Sequence, residues 1–294
     1  MSHSTTSRCW MAAACALFAA TILMAQPVAA QTPAGPPAPA ATPAPEHAPA
    51  GGGQLSAADI AKSNNPLGEV TAVSFENYYF PTLYGVPNTN ANTFDLRGVA
   101  IAGRQIIRVT VPVQTTPVGG GDYKSGLGDI SMFDAIRISS SEKAEWAVGP
   151  LVQLKTASDD ALGSGKWQAG AAIVGVFPMK GGSMIGFLGT WQHSIAGDED
   201  RKTTNLSTFQ PFAIYSIGGG YYVSSKGVMV FDFENNRYLI PLGVGIGKAV
   251  RAGGHMINAF FEPEFTVYHK GAGQPVIQLY AGIKWQWPKA SKKG

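Results

Sequence analysis

From about Leu67 to Pro288, hydrophobic and polar residues alternate with a period of two, in runs broken by Gly, Asn, Asp and Ser clusters. That period places successive side chains on opposite faces of a strand. The last three runs are the clearest. In 238–247 the odd positions are Leu239, Pro241, Gly243, Gly245 and Gly247, against Tyr238, Ile240, Leu242, Val244 and Ile246. In 257–268 one face is Ile257, Ala259, Phe261, Pro263, Phe265 and Val267; the other is Asn258, Phe260, Glu262, Glu264, Thr266 and Tyr268. In 276–287, Ile277, Leu279, Ala281, Ile283, Trp285 and Trp287 oppose Gln278, Tyr280, Gly282, Lys284 and Gln286. Counting such runs predicts strands at 69–80, 94–102, 105–114, 127–138, 144–155, 166–178, 183–194, 205–217, 221–233, 237–249, 256–268 and 275–287. That is about twelve, each near the ~10 residues that cross a bilayer at a barrel's tilt.

Alternation alone does not say which face is outside, because a soluble barrel carries the same pattern inverted. Three observations decide it. Connections alternate in length: 81–93, 115–126, 156–165 and 195–204 are long, whereas Gly103-Arg104, Ser139–Lys143, Lys180–Gly182 and Gly218–Gly220 are short. Short turns at one end and long loops at the other characterise outer-membrane barrels. The link at Glu234–Asn236 breaks this rule. Trp146, Trp167, Trp191, Trp285 and Trp287 fall near strand ends on the apolar face, where an aromatic girdle sits at the headgroup boundary. Finally, the apolar faces of the clean strands carry no charge, and their opposite faces carry polar groups that a small dry core could not satisfy. Asp134 resists, sharing a face with Ile130, Met132, Ile136 and Ile138; a bulge or register shift there would remove the conflict. The expected fold is all-β: a transmembrane antiparallel up-and-down barrel, with 67–288 as the barrel domain.

Composition agrees. Charged residues make up 14% of the chain, against roughly 25% in ordinary soluble proteins. Mean hydropathy is close to zero. A net charge of +3 supplies no basic field for nucleic acid. At the N-terminus, Arg8 precedes an apolar stretch from about Met11 to Met24, then Val28-Ala29-Ala30, the small residues signal peptidase reads. Residues 1–30 are therefore expected to be a signal peptide, and the location the outer membrane of a Gram-negative cell. Cys9 and Cys15, the two cysteines of the chain, both lie in that segment, so processing would leave a protein without disulfides or thiolate metal sites. Residues 31–66 form a Pro/Ala/Gly-rich linker expected to be disordered, with a short helix foreseen around Ala57–Ala61. Residues 289–294 are a basic tail, which displaces the terminal aromatic common at the end of such barrels to Trp287.

The runs GLGDI (126–130), SDDALGSGKW (158–167), IAGDEDR (195–201), QPFAIY (210–215) and IPLGVGIGK (240–248) occur in this order. They resemble a family of bacterial outer-membrane barrels related to the MetA-pathway of phenol degradation proteins, whose members are often mislabelled neuromedin U. The likeness spans most of 67–288. It implies a transporter or porin for small compounds, hydrophobic or aromatic ones among them, and brings no functional residues with it.

Enzyme-like strings fail on inspection. In ALGSGKW, Asp160 stands where a phosphate loop needs its first Gly, and Trp167 replaces the Ser/Thr. Gly243, Gly245 and Gly247 lie within a strand and more simply leave lumen room. His47, His193, His255 and His269 keep no ligand spacing, and Asp159-Asp160 and Asp198-Glu199-Asp200 read as solvated loops, so no metal or cofactor is expected. His193-Ser194 and His269 could serve a barrel lipid hydrolase, but no triad assembles around them. The informative set is the polar face: Arg108, Arg137, Lys155, Lys226, Asp232, Glu262, Glu264 and Lys284 as a lumen constriction. A narrow channel for small solutes is the expected function, with a lipid hydrolase or a structural outer-membrane protein as alternatives. Expected partners are outer-membrane lipid and lipopolysaccharide, the barrel-assembly machinery and an unidentified solute.

Overall fold

The computed structural model describes residues 55–288. The expected signal peptide (1–30), most of the expected linker and the basic tail (289–294) lie outside the described residues. Within them run one helix, α1 (Ala57–Asn64), and fifteen strands: β1 (Val70–Leu83), β2 (Ala91–Ala102), β3 (Gln105–Gly119), β4 (Asp122–Leu127), β5 (Ser131–Ser140), β6 (Glu145–Gln153), β7 (Lys166–Pro178), β8 (Met184–Gly197), β9 (Asn205–Gly218), β10 (Tyr221–Ser225), β11 (Met229–Asp232), β12 (Arg237–Gly243), β13 (Gly245–Ala252), β14 (His255–Lys270) and β15 (Pro275–Pro288).

Three pairs are halves of single crossings. The β4 and β5 strands both pair with β3, β10 and β11 both with β9, and β12 and β13 both with β14. The result is a closed antiparallel barrel of twelve crossings. Closure is made by β1 on β15, in register from Val70↔Pro288 to Tyr79↔Leu279. All twelve predicted strands are present, and the faces fall as the alternation required. Glu262 is 0% exposed while its neighbour Phe261 is 43% exposed, and Leu242, Val244 and Ile246 point out where Gly243, Gly245 and Gly247 point in. Phe75, Leu96, Met132, Ile185, Phe265 and Ile283 extend the apolar outer wall. A continuous apolar belt of this kind requires lipid, not water, as its solvent.

Two expectations need correction. The 115–126 connection is no open loop: β3 and β4 run on as a hairpin whose tip is Gly120-Gly121, with Thr115, Thr116 and Val118 extending the β-branched pattern. Gly119, Gly120 and Gly121 all have positive φ, which lets the chain reverse within so few residues. Nor does a bulge rescue Asp134. The irregularity of β5 lies between Arg137 and Ser139, and Asp134 stays on the outer face, where Gln105 Nε2 donates to it at 2.8 Å.

The helix takes residues 57–64 out of the stretch expected to be disordered. Ser56 and Asp59 form a capping box, each side chain accepting from the other's backbone N–H at 3.1 Å. The helix lies across the short-turn mouth. Ile60 is 2% exposed and clusters with Leu55, Ala249 and Met256, and Asp59 meets Arg251 at 2.8 Å. Ser63 Oγ donates to Gln286 Oε1 at 2.6 Å and accepts from Asn258 Nδ2 at 3.0 Å; both partners are lumen-facing.

At the other mouth, three of the motif runs meet. Asp129 accepts from the backbone N–H groups of Thr156, Ala157 and Ser164 and from the Ser164 hydroxyl. Arg201 donates to the carbonyls of Asp160 and Gly163, Lys166 Nζ to that of Asp198. Asp159 caps a 3-10 turn, and Gly165 at φ +70 has the Arg201 side chain where a Cβ would stand. These runs thus form a loop clasp rather than a phosphate site. With Arg201→Ala, three hydrogen bonds to carbonyls go. Limited proteolysis of the folded protein should then cut within 158–165, where wild type resists; equal resistance would refute the clasp.

Candidate functional site

The site is the barrel interior above α1. Its floor is the chain from Asn64 to Gly68, and its wall encloses a cavity of about 170 Å³. The wall is built in halves. From β5, β7, β8 and β9 come Phe133, Val174, Leu188 and Phe212, which are buried apolar side chains facing inward. From β1, β2, β3 and β15, with the break after β10, come Glu76, Arg97, Arg108, Lys226 and Lys284.

The charged half is a network. Glu76 accepts from Arg97 Nη1, from Ser74 Oγ at 2.8 Å and from the Tyr280 hydroxyl at 2.5 Å. Arg97 also holds Asp95 at 2.7 Å. Glu262 accepts from Ser224 Oγ at 2.7 Å and from the backbone N–H of Lys226, whose Nζ lies 3.9 Å away. That Nζ sits 3.6 Å from the centre of the Phe260 ring. Glu264 accepts from Gln278 Nε2 at 3.3 Å, and its Oε1 is buried without a partner. The glycine stripe makes this possible. A Cβ on Gly243 would stand 2.6 Å from Glu264 Cγ, one on Gly245 2.6 Å from Glu262 Cβ, and one on Gly247 2.2 Å from Tyr222 Cζ. The room left by these glycines is filled by the carboxylates and the tyrosine of neighbouring strands.

Gly245→Val should therefore push Glu262 off Ser224 and the Lys226 N–H. Overpacking of this kind costs about 1–3 kcal/mol, and the thermal transition of the folded barrel should fall, read from band shifts on gels run after graded heating. An unchanged transition would show that the stripe is not filled as described.

Of the eight polar residues expected in a constriction, Arg108, Lys226, Glu262, Glu264 and Lys284 gather in this interior. Three are elsewhere. Lys155 lies beyond β6 at the long-loop end and pairs with Asp198. Asp232 ends β11 and accepts from Asn235 N at 3.0 Å and Asn235 Nδ2 at 2.8 Å, closing the turn to β12. Arg137 grips the chain entering β1, donating to Leu67 O at 2.5 Å and meeting Glu69 at 3.3 Å. Glu76, Asp95 and Arg97 were missed. Their signal was the alternation Ala72, Ser74, Glu76, Tyr78 on β1, which continues into the strand paired with it.

The tryptophans divide between the two ends of the wall. Trp167 and Trp191 lie toward the long-loop end and Trp285 and Trp287 at the short-turn end, all four exposed; Trp146, also at the short-turn end, is wedged edge-on between Phe177 and Phe187. Among the described residues no histidine hydrogen-bonds a serine or an acid. Ser194 Oγ accepts from Thr204 N, and His269 stacks on Tyr84 at 3.6 Å. No group of three or more potential metal-ligating side chains occurs among the described residues.

A solved structure of an outer-membrane channel from Pseudomonas putida F1 superposes on this barrel with a TM-score of 0.53. The likeness covers 74% of this chain and 94% of that one, at 10% identity, and establishes a shared fold. A bacterial polysaccharide outer-membrane secretin aligns at a TM-score of 0.35 and 8% identity, over 76% of this chain. No protein-family model and no curated protein matches the chain.

Proposed function

We propose that the protein is an outer-membrane channel for small solutes, held closed at its short-turn end by α1 in the conformation described. The observation that carries this reading is the pairing of an apolar outer belt with a charged, cavity-bearing interior inside one closed barrel. A barrel whose only task was structural could fill its lumen with packed side chains. The motif resemblance to the phenol-degradation barrels and the fold shared with an outer-membrane channel both support it. On this reading the chain is exported, processed after Ala30 and inserted with its short turns facing the periplasm.

The test is conductance in planar bilayers, with purified full-length protein whose folding is verified by altered gel migration before and after boiling. Discrete openings are expected. Absence of current in wild type and in a variant lacking α1, combined with phospholipid hydrolysis that Ser194→Ala abolishes, would move the assignment to a lipid hydrolase.

A further inference from the structure

The cavity wall carries four cations, Arg97, Arg108, Lys226 and Lys284, against one carboxylate, Glu76. Pairing accounts for only two of the four. Arg97 is held by Glu76 and Asp95, and Lys226 has Glu262 behind it. Arg108 and Lys284 have no carboxylate within 4 Å and no hydrogen bond to protein among the described residues. Arg108 Nε is buried without a partner, and its guanidinium is 4.2 Å from the centre of the Phe133 ring. Glu264, the remaining acid of the interior, is 1% exposed and does not line the cavity. Two cations without a carboxylate in contact, in a confined interior, favour an anion.

The remainder of the wall says what the anion is attached to. Across the barrel from the cations stand Val174, Leu188 and Phe212, an apolar surface whose side chains have no donor to offer. The cavity, about 170 Å³, is close to the ~150 Å³ that holds a benzene-sized body. We propose that this cavity is a binding site for a small monocarboxylate whose body is no larger than one six-membered ring, with the carboxylate on Arg108 and Lys284 and the ring against Leu188 and Phe212. The charge is what selects: a neutral ring compound would leave both cations unpaired. That this anion is cargo rests on the channel reading above; the site itself does not.

The experiment is isothermal titration of the detergent-solubilised full-length protein with benzoate, benzamide and acetate. Saturable benzoate binding is expected, with benzamide and acetate each at least tenfold weaker. Arg108→Gln and Lys284→Met should each weaken benzoate at least tenfold, Arg108→Lys should recover part of the loss, and Lys155→Gln at the long-loop end should change nothing. Gel migration before and after boiling shows that each variant is folded. Should Arg108→Gln fail to fold, Arg108→Lys and Lys284→Met carry the comparison. Benzamide binding as tightly as benzoate would overturn the proposal, as would benzoate affinity unmoved in the folded variants. Acetate matching benzoate would overturn the ring-sized body. Absence of benzoate binding to a protein that conducts would sink the site and leave the channel standing. Binding to a protein that never conducts would do the reverse.

Discussion

Removing residues 55–66 should convert a mostly closed protein into one with a steady, several-fold larger conductance. The deletion leaves β1 and every strand pairing untouched, because the helix contributes no rung to the barrel. What it removes is the cover. Ser63 and Asn64 bind Asn258 and Gln286 on the lumen wall, and Leu55 and Ile60 fill the gap beside Met256. Burying a side chain such as Ile60 stabilises the closed arrangement by ~2 kcal/mol. A point variant, Ile60→Asp, should therefore raise open probability more than tenfold, since each ~1.4 kcal/mol is a factor of ten. Single-channel recordings of wild type, deletion and point variant decide the matter. Equal conductance in all three, with the barrel folded, would mean that α1 covers nothing that ions pass through.

The second large effect is the contrast between adjacent residues of β14. Phe261→Arg places a charge on the lipid-facing wall and should cost about 2–4 kcal/mol near the bilayer midplane, seen as a drop in folded yield in vesicles and in thermal stability. Glu262→Gln, one residue on, faces the lumen: its remaining oxygen still accepts from the Lys226 N–H, and its amide NH2 donates to the Ser224 hydroxyl, which turns to accept. It should fold, and shift the reversal potential under a salt gradient toward anions, because it leaves Lys226 without its counter-charge. Exchanged phenotypes would invert the inside and outside of the barrel.

Both predictions draw on a pattern visible in the chain before folding. Period-two alternation is local, so Phe261, Ile283, Glu262 and Lys284 could be sorted onto their faces by position alone. The same logic placed Arg108 and Lys226. It failed for Lys155, Arg137 and Asp232, because a face assignment says nothing about height: all three sit near or past the end of a strand, where Asp198, the Leu67 carbonyl and Asn235 take them. Contacts between segments far apart in sequence were beyond it. The helix was foreseen only as a fragment of linker, since its seat on Met256 and Gln286 lies some two hundred positions away and no periodicity encodes that meeting. The clasp of Asp129, Ser164 and Arg201 was visible as three separate runs, and only the fold shows that they are one object. Asp134 shows the opposite limit. Its conflict with Met132 and Ile136 was read correctly, and the fold relieves it only in part: Gln105 on the neighbouring strand donates to Oδ2, while Oδ1 is buried without a partner.

The helix is joined to β1 by residues 65–69 alone. Those five residues, fully stretched, reach about 18 Å, so a displaced helix stays at the mouth it has left. Its effective concentration there is in the millimolar range, as for any short tether. Reclosure is then unimolecular, and its rate does not depend on how densely the protein populates the membrane. A free peptide of residues 55–66, offered to the deletion variant, has to be supplied at about millimolar concentration to reseal it, because solution must replace what five residues of chain provide.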